Sequence, residues 1–190
     1  MRPIQFLFII SLLTVITLLS CNERSCENTM CENGGICNDG SCDCPEGFMG
    51  TYCETRAIPD KMRITSLTLT RFPVTKHNVT WDEFSGPDIF FRIYEGSRPV
   101  AQPLHLYEDA SAFNTYQFFI GLIEIENITN TFSIKLLDYD GRDTKEDLMG
   151  EIEFIPFNPE KGYPETIILD DDGPVAFEMT VEYIYHKKSM

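Results

Sequence analysis

The placement of cysteines constrains this chain more than any other feature. All seven cysteines lie between Cys21 and Cys53, and residues 54–190 contain none, so any disulfide framework belongs to one short segment. Residues 26–53 hold six of them and few apolar side chains, and a segment of this length cannot build its own hydrophobic core. Segments of this kind are stabilised by disulfides, at about 2–4 kcal/mol for each bridge. We therefore predict a disulfide-rich module over residues 26–53.

The spacing of these six cysteines alone leaves fifteen pairings open. The last part of the module, from Cys42 to Cys53, follows the pattern C-x-C-x2-G-F-x-G-x2-C. This pattern resembles the ending of EGF-like domains, and the resemblance covers residues 26–53. Zinc clusters are the other use of closely spaced cysteines, but this spacing and the export signal described next argue against one. The EGF-like resemblance implies the disulfides Cys26–Cys37, Cys31–Cys42 and Cys44–Cys53.

Residues 1–20 have the composition of a signal peptide, because Arg2 is followed by an apolar run. The run is shorter than the roughly 20 residues that a membrane-spanning helix needs. Leu18-Leu19-Ser20-Cys21 resembles the lipobox of bacterial lipoproteins, which implies that Cys21 is acylated and that residues 21–25 form a lipidated N-terminus and tether. With Cys21 assigned to the lipid, an even six cysteines remain to form disulfides.

The residue after that cysteine is Asn22. In the lipoproteins that this segment resembles, an aspartate at this place retains the protein at the inner membrane, so the resemblance implies an anchor in the outer membrane of a Gram-negative bacterium. The alternative is cleavage near Ser20 and a secreted protein.

After a predicted linker at residues 54–61, β-branched and aromatic runs alternate with Gly, Pro, Asn and Asp, as is typical of short strands joined by turns. Apolar and polar side chains alternate over residues 177–185, as expected for a strand with one buried face. The sequence predicts an all-β chain, in which the EGF-like module precedes an eight-stranded antiparallel β-sandwich over residues 62–186 and a tail at 187–190. The predicted strands are 62–72, 88–95, 103–108, 116–126, 131–138, 148–157, 165–170 and 175–185.

Two groups of acidic residues mark two of the predicted loops, one after the first strand and one after the fifth. In an antiparallel sandwich both loops emerge at the same end, so the carboxylates are expected to meet. Close carboxylates repel one another unless a cation neutralises them, and several oxygen ligands in irregular geometry suit Ca²⁺ better than Mg²⁺. We predict a calcium site here, with solvated turn acids as the alternative interpretation. The candidate ligands are Asp82 and Asp88 in the first group, and Asp138, Asp140, Glu146 and Asp147 in the second.

The same two segments resemble calcium-binding loops of C2 domains. Asp82-x5-Asp88 followed by a strand is similar to the first loop, and Asp138-Tyr139-Asp140 followed by Leu148-Met149-Gly150-Glu151 is similar to the third. The resemblance covers residues 62–185. It implies a C2-like sandwich, calcium as the cofactor and calcium-dependent docking to anionic phospholipid, with Phe84 and Phe113 as candidate contacts at the loop tips.

Charge and motifs exclude several classes of function. A formal net charge of −15 repels phosphate backbones, so nucleic acid is not an expected partner. The three histidines are scattered and the sequence carries no nucleophile elbow, Walker loop or His-Glu-x-x-His motif, so we do not expect an enzyme.

The function predicted from the sequence is that of an anchored binding protein outside the cytoplasm. Acylated Cys21 holds it to the lipid bilayer, and the C2-like domain presents a calcium-dependent recognition surface to a protein or a glycan. Calcium-dependent binding of anionic phospholipid is the first alternative. A secreted eukaryotic EGF/C2-type adhesion module is the second.

Overall fold

The computed structural model describes residues 26–141 and 145–185, in two compact units that divide between Ala57 and Ile58. The predicted signal peptide, Cys21 with its tether, and the tail lie outside the described residues. Apart from a 3₁₀ turn at Pro159–Lys161, every regular element in the described part is a strand, which confirms the predicted all-β class. No helix in that part is long and apolar enough to cross a membrane.

The first unit contains two short antiparallel hairpins held by disulfides. β1 (Ile36–Asn38) pairs with β2 (Ser41–Asp43), and β3 (Phe48–Met49) pairs with β4 (Thr55–Arg56). The last of these strands lies within the segment predicted as a linker. The three disulfides have the pairing that the EGF-like resemblance implies, namely Cys26–Cys37, Cys31–Cys42 and Cys44–Cys53.

Packing in this unit is centred on a disulfide. Cys53 is fully buried, and it is the only buried residue between residues 26 and 57. A Cβ atom at Gly35 would lie 2.6 Å from the Cys53 sulfur, which is closer than two such atoms can approach. Position 35 therefore needs glycine. The interior of the unit is covalent rather than apolar, as its composition predicts.

The second unit is a sandwich of two antiparallel sheets. One sheet has the strand order β11-β10-β6-β7, and the other has the order β12-β13-β5-β8, with β9 also paired to β5. The strands are β5 (Lys61–Arg71), β6 (Ile89–Glu95), β7 (Arg98–Ala101), β8 (Tyr116–Phe118), β9 (Ile123–Ile125), β10 (Phe132–Asp138), β11 (Asp147–Phe154), β12 (Thr166–Leu169) and β13 (Ala176–Ile184).

Apolar side chains from the facing sides of the two sheets form the core. In β13, for example, Phe177, Met179 and Val181 are buried, and Glu178 and Glu182 between them are exposed. Burial of one such apolar side chain contributes about 1.5–3 kcal/mol. The period-two pattern of the sequence thus directs one face of each strand inwards.

Two predicted strands differ from the structure. A tight turn at Gly96, with φ +60°, sends the chain back at once into β7, so the strand after β6 begins at Arg98 rather than at residue 103. Residues 103–108 contribute only one isolated bridge, between Ile89 and Tyr107. Pro103 lacks the N–H group that a ladder needs.

The predicted strand 116–126 is broken into two, β8 and β9, which pair with different parts of β5. Leu67 faces Phe118 and Ile64 faces Ile123, so four residues of one chain segment span the distance that two residues of β5 cover. Residues 119–122 therefore leave the ladder. The sandwich has nine strands among its described residues where eight were predicted.

Strand register brings the acidic segments to one end of the sandwich. Asp138, the last residue of β10, is the Cα partner of Ile89, the first residue of β6, and the N–H of Tyr139 donates to the carbonyl of Asp88 at 2.9 Å. The segment that leaves β10 therefore passes directly beside the segment that enters β6. This is the convergence that an antiparallel sandwich predicts.

Candidate calcium-binding site

Three aspartates meet at this end of the sandwich. One carboxylate oxygen from each of Asp82, Asp138 and Asp140 lies within 4.8 Å of the others. Asp82 belongs to the segment between β5 and β6, and the other two stand at the end of β10 and directly after it. Residues that are more than fifty positions apart in the sequence thus form one group, which we call the carboxylate triad.

Asp138 is the central member of the triad. It has the same orientation on β10 as the core residues Ile134 and Leu136, and its side chain has an exposed fraction of 0%. Its Oδ1 accepts a hydrogen bond from the backbone N–H of Asp88 at 2.8 Å. Its Oδ2 is buried and has no hydrogen-bond partner among the described residues. A buried carboxylate oxygen without a partner is costly, because it has lost water and gained nothing in return.

The electrostatic environment of the triad disfavours three ionised carboxylates. Burial raises the pKa of Asp138 to about 6, and the neighbouring charges of Asp82 and Asp140 raise it further, against the opposing effect of the Asp88 N–H. The pKa of Asp82 is also raised, first by burial and then by the charges of Asp88, Asp140 and Asp109. Negative charges this close repel strongly where water is excluded. A cation at this position would reverse both effects.

A second layer of acidic residues supports the triad. Asp88 places its Oδ1 3.0 Å from the backbone nitrogen of Asp109, which donates a hydrogen bond to it. The N–H of Ala110 donates to the carbonyl of Pro87 at 2.8 Å. These two bonds fix the segment that begins at Asp109 beside the segment that carries Asp82.

Asp109 was not among the residues predicted from the sequence. It stands alone among apolar and polar neighbours, whereas the predicted acids came in groups. Its backbone has a φ of +52°, a conformation that Asp tolerates in turns, so a turn role was its expected one. Only the hydrogen bond to Asp88 reveals that its charge faces the triad.

The structure does not bring Glu146 and Asp147 into the triad. The Glu146 carboxylate accepts two hydrogen bonds from the Arg92 guanidinium, with 2.6 Å between Nη2 and Oε1. Asp147 forms an ion pair with Lys76. Of the six predicted ligands, three form the triad, Asp88 lies next to it, and these two bind cationic side chains instead.

Two phenylalanines project from the segments around the triad. Phe84 has an exposed fraction of 92% and Phe113 one of 90%. Phe84 lies two residues after Asp82, and Phe113 lies on the segment that the Ala110–Pro87 hydrogen bond ties to the same loop. Single exposed apolar residues are ordinary, but two such rings on neighbouring segments beside an ion site form a candidate contact surface.

The residues present fit a calcium ion. Three carboxylates offer six oxygens, and Ca²⁺ takes six to eight oxygen ligands in flexible geometry. The partnerless Oδ2 of Asp138 supplies the independent sign that a cation belongs here, since acidic clusters in general need none. Within the described residues, this triad is the group of acidic or sulfur and nitrogen ligands close enough to share an ion.

Comparison with known proteins gives structural neighbours alone. No family model matches the chain, and no curated protein matches it. Solved structures similar to it include a C2 domain (13% identity, 64% of this chain and 97% of that chain, TM-score 0.42) and a C2 domain protein from Ramazzottius varieornatus (12%, 70% and 96%, 0.43). A third is a C2 domain of plant extended synaptotagmin 1 (13%, 70% and 100%, 0.41).

Proposed function

We propose that the second unit binds Ca²⁺ through Asp82, Asp138 and Asp140. The observation that carries this proposal is the buried, partnerless Oδ2 of Asp138 within reach of two further carboxylates. A bound calcium ion would supply positive charge and open coordination positions at the end of the sandwich. The protein's own residues hold the ligands in place, because the Asp88 N–H orients Asp138 and the end of β10 fixes its backbone.

The role that the geometry supports best is calcium-dependent docking to an anionic phospholipid surface. Residues 56–190 carry 13 cationic and 23 anionic side chains, so the calcium-free unit is repelled by such a surface. Calcium at the triad reverses the local charge where Phe84 and Phe113 are exposed. A phosphate contact beside two apolar rings matches the boundary between headgroups and acyl chains.

A calcium-dependent surface for a protein or a glycan is the second candidate. It follows from the proposed anchor, since a chain already held to a bilayer needs no calcium to reach one. The two candidates share the ion and differ in what it presents. We also propose that the role is binding rather than catalysis.

Vesicle co-sedimentation separates these candidates. The full chain with Cys21→Ser, which removes any lipid anchor, is mixed with vesicles of phosphatidylcholine alone or with phosphatidylserine added, with calcium or with a chelator. We expect sedimentation only with calcium and phosphatidylserine, and none for Asp138→Asn. Calcium binding by calorimetry without sedimentation would favour the protein or glycan surface. Absence of calcium binding would refute both.

A double variant tests the aromatic contact. Phe84→Ser with Phe113→Ser should leave calcium binding unchanged and weaken vesicle capture by about tenfold, because two buried rings contribute at least about 1.4 kcal/mol. Phe119→Ser is the matched control, since Phe119 is also exposed but lies where the chain leaves the ladder between β8 and β9. Equal loss of capture in the control would contradict a specific contact.

Export and anchoring remain a proposal about the N-terminus. We propose that the chain is exported, cut before Cys21 and held by acyl chains in the outer membrane, with secretion as the alternative. Intact mass spectrometry of the mature protein tests this. The expected mass includes the acyl groups on Cys21, and an unmodified cysteine would show that the chain is secreted.

A further inference from the structure

Arg92 holds Glu146 on the outer face of the four-stranded sheet. Arg92 on β6 is the cross-strand partner of Lys135 on β10, and Lys135 in turn pairs with Glu151 on β11 at 3.5 Å. These charged residues alternate with the buried ones, whereas Asp138 shares the inward face. The guanidinium also lies 5.0 Å from the centre of the Phe90 ring. Glu146 is therefore part of a charged surface cluster on the side of the sheet opposite to the triad.

Lys76 holds Asp147 by a separate device. Lys76 and Val79 exchange backbone hydrogen bonds of 2.8 and 3.0 Å across a turn in which His77 and Asn78 have positive φ. This turn fixes the backbone of Lys76 and lets its ammonium pair with Asp147. Asp147 is the Cα partner of Asp138, so it starts one strand away from the triad and is nevertheless bound to a cation.

We infer that Lys76 and Arg92 withhold these two carboxylates and so limit the site to a single calcium ion, an inference that rests on the proposed calcium binding. One ion occupies the triad, whose six oxygens meet the lower end of calcium's coordination range. A second ion beside Asp140 would need further carboxylates. Glu146 and Asp147 become available only if two partly buried cations lose their partners.

The ion pairs also set the roles of the acidic residues. Asp82, Asp138 and Asp140 are ligands, and Glu146 and Asp147 are partners of positioning cations. Removal of a ligand and removal of an ion-pair partner delete the same charge from the same end of the unit. Their effects on calcium binding differ only if this division of roles is right.

Calcium titration of the full chain by calorimetry tests the inference. The wild-type protein should bind one ion per chain, and Asp138→Asn should bind none. Glu146→Gln with Asp147→Asn should leave the affinity within about twofold of wild type, whereas Asp140→Asn alone should weaken it by at least about tenfold, because only that change removes a ligand. A tenfold loss in the Glu146/Asp147 variant would overturn the inference.

The converse variant removes the cations. Lys76→Gln with Arg92→Gln should raise the stoichiometry from one ion to two, since both carboxylates are released. Lys61→Gln with Arg98→Gln is the matched control, because it deletes the same charge from ion pairs with Glu126 and Glu95 elsewhere in the unit. The control should remain at one ion. Circular dichroism shows that each variant is folded.

The outcomes also separate the inference from the proposed function. Two or more ions in the wild-type protein, all lost in Asp138→Asn, would overturn the single-ion inference and leave calcium binding intact. One ion in the Lys76/Arg92 variant, if folded, would overturn it as well. No ion in the wild-type protein would refute calcium binding itself.

Discussion

At the scale of single residues, Asp138 couples calcium binding to the stability of the fold. Its carboxylate is buried at the end of a core strand, where one oxygen is satisfied by the Asp88 N–H and the other has no partner among the described residues. The ionised form is therefore destabilising without an ion. The same oxygen becomes a ligand when a cation is present, so the residue exchanges stability of the calcium-free protein for affinity.

Substitution of Asp138 by Asn should stabilise the calcium-free protein at neutral pH. The folded pKa of about 6 lies above the ordinary value, so this group contributes stability below about pH 4 that is lost as pH rises through 6. In a chelator, the variant's free energy of unfolding should exceed that of wild type by about 2–3 kcal/mol at pH 7.5 and by little at pH 4. Denaturant unfolding at both pH values measures this difference. A variant less stable than wild type at pH 7.5 would contradict the account.

The ligand triad also shows what the sequence predicts at this scale. Asp82, Asp138 and Asp140 were predicted because acids repeat within two segments whose convergence the strand order implies. Glu146 and Asp147 fit the same pattern, but their cationic partners lie more than fifty positions away, and no local pattern reveals such a pairing. Asp109 escaped for the opposite reason, since it stands alone.

At the scale of elements, the site depends on how closely two loops approach. Gly86 lies where the segment carrying Asp82 meets the segment that begins at Asp109, and a Cβ atom there would lie 2.5 Å from the carbonyl oxygen of Ala110. Both contacts are backbone, so neither side can yield without moving a loop. The short distance is what lets the charge of Asp109 act on Asp82.

Gly86→Ala should therefore weaken calcium binding without removing a ligand. We expect a loss of affinity of about tenfold and of stability of about 1–3 kcal/mol, because the two loops must separate. Gly121→Ala is the control, since a Cβ atom there meets no atom within 4 Å. Calcium titration and thermal unfolding of both variants measure the effects. Wild-type affinity in Gly86→Ala would show that loop spacing does not matter.

Strand positions illustrate the limits of prediction for elements. The long strands β5, β10, β11 and β13 were anticipated to within a few residues, because their apolar periodicity is continuous. The edge of the second sheet was not, because the residues that leave the ladder between β8 and β9 include Phe119, Ile120 and Leu122, which have the composition of a strand. Backbone pairing, rather than composition, decides which apolar residues stay in a sheet.

At the scale of the whole molecule, two units are stabilised in different ways. The first unit depends on three disulfides and contains a single buried residue among its described residues, whereas the second has an extended apolar core and no cysteine. All three triad residues belong to the second unit. Calcium binding should therefore be independent of the redox state of the first.

Reduction provides the test of that independence. In excess reductant the first unit should unfold, since loss of a native disulfide from a small module costs about 2–5 kcal/mol. Calcium affinity measured by titration should stay within about twofold of the oxidised protein, because no ligand or core residue is affected. Loss of calcium binding on reduction would show that the first unit supports the site.

The central claim is that Asp82, Asp138 and Asp140 together hold a calcium ion, and a crystal structure of the protein grown in calcium tests it most directly. The account predicts one ion at about 2.3–2.6 Å from oxygens of all three carboxylates, including Oδ2 of Asp138. An ion coordinated by other residues, or three carboxylates that contact only water in saturating calcium, would contradict it.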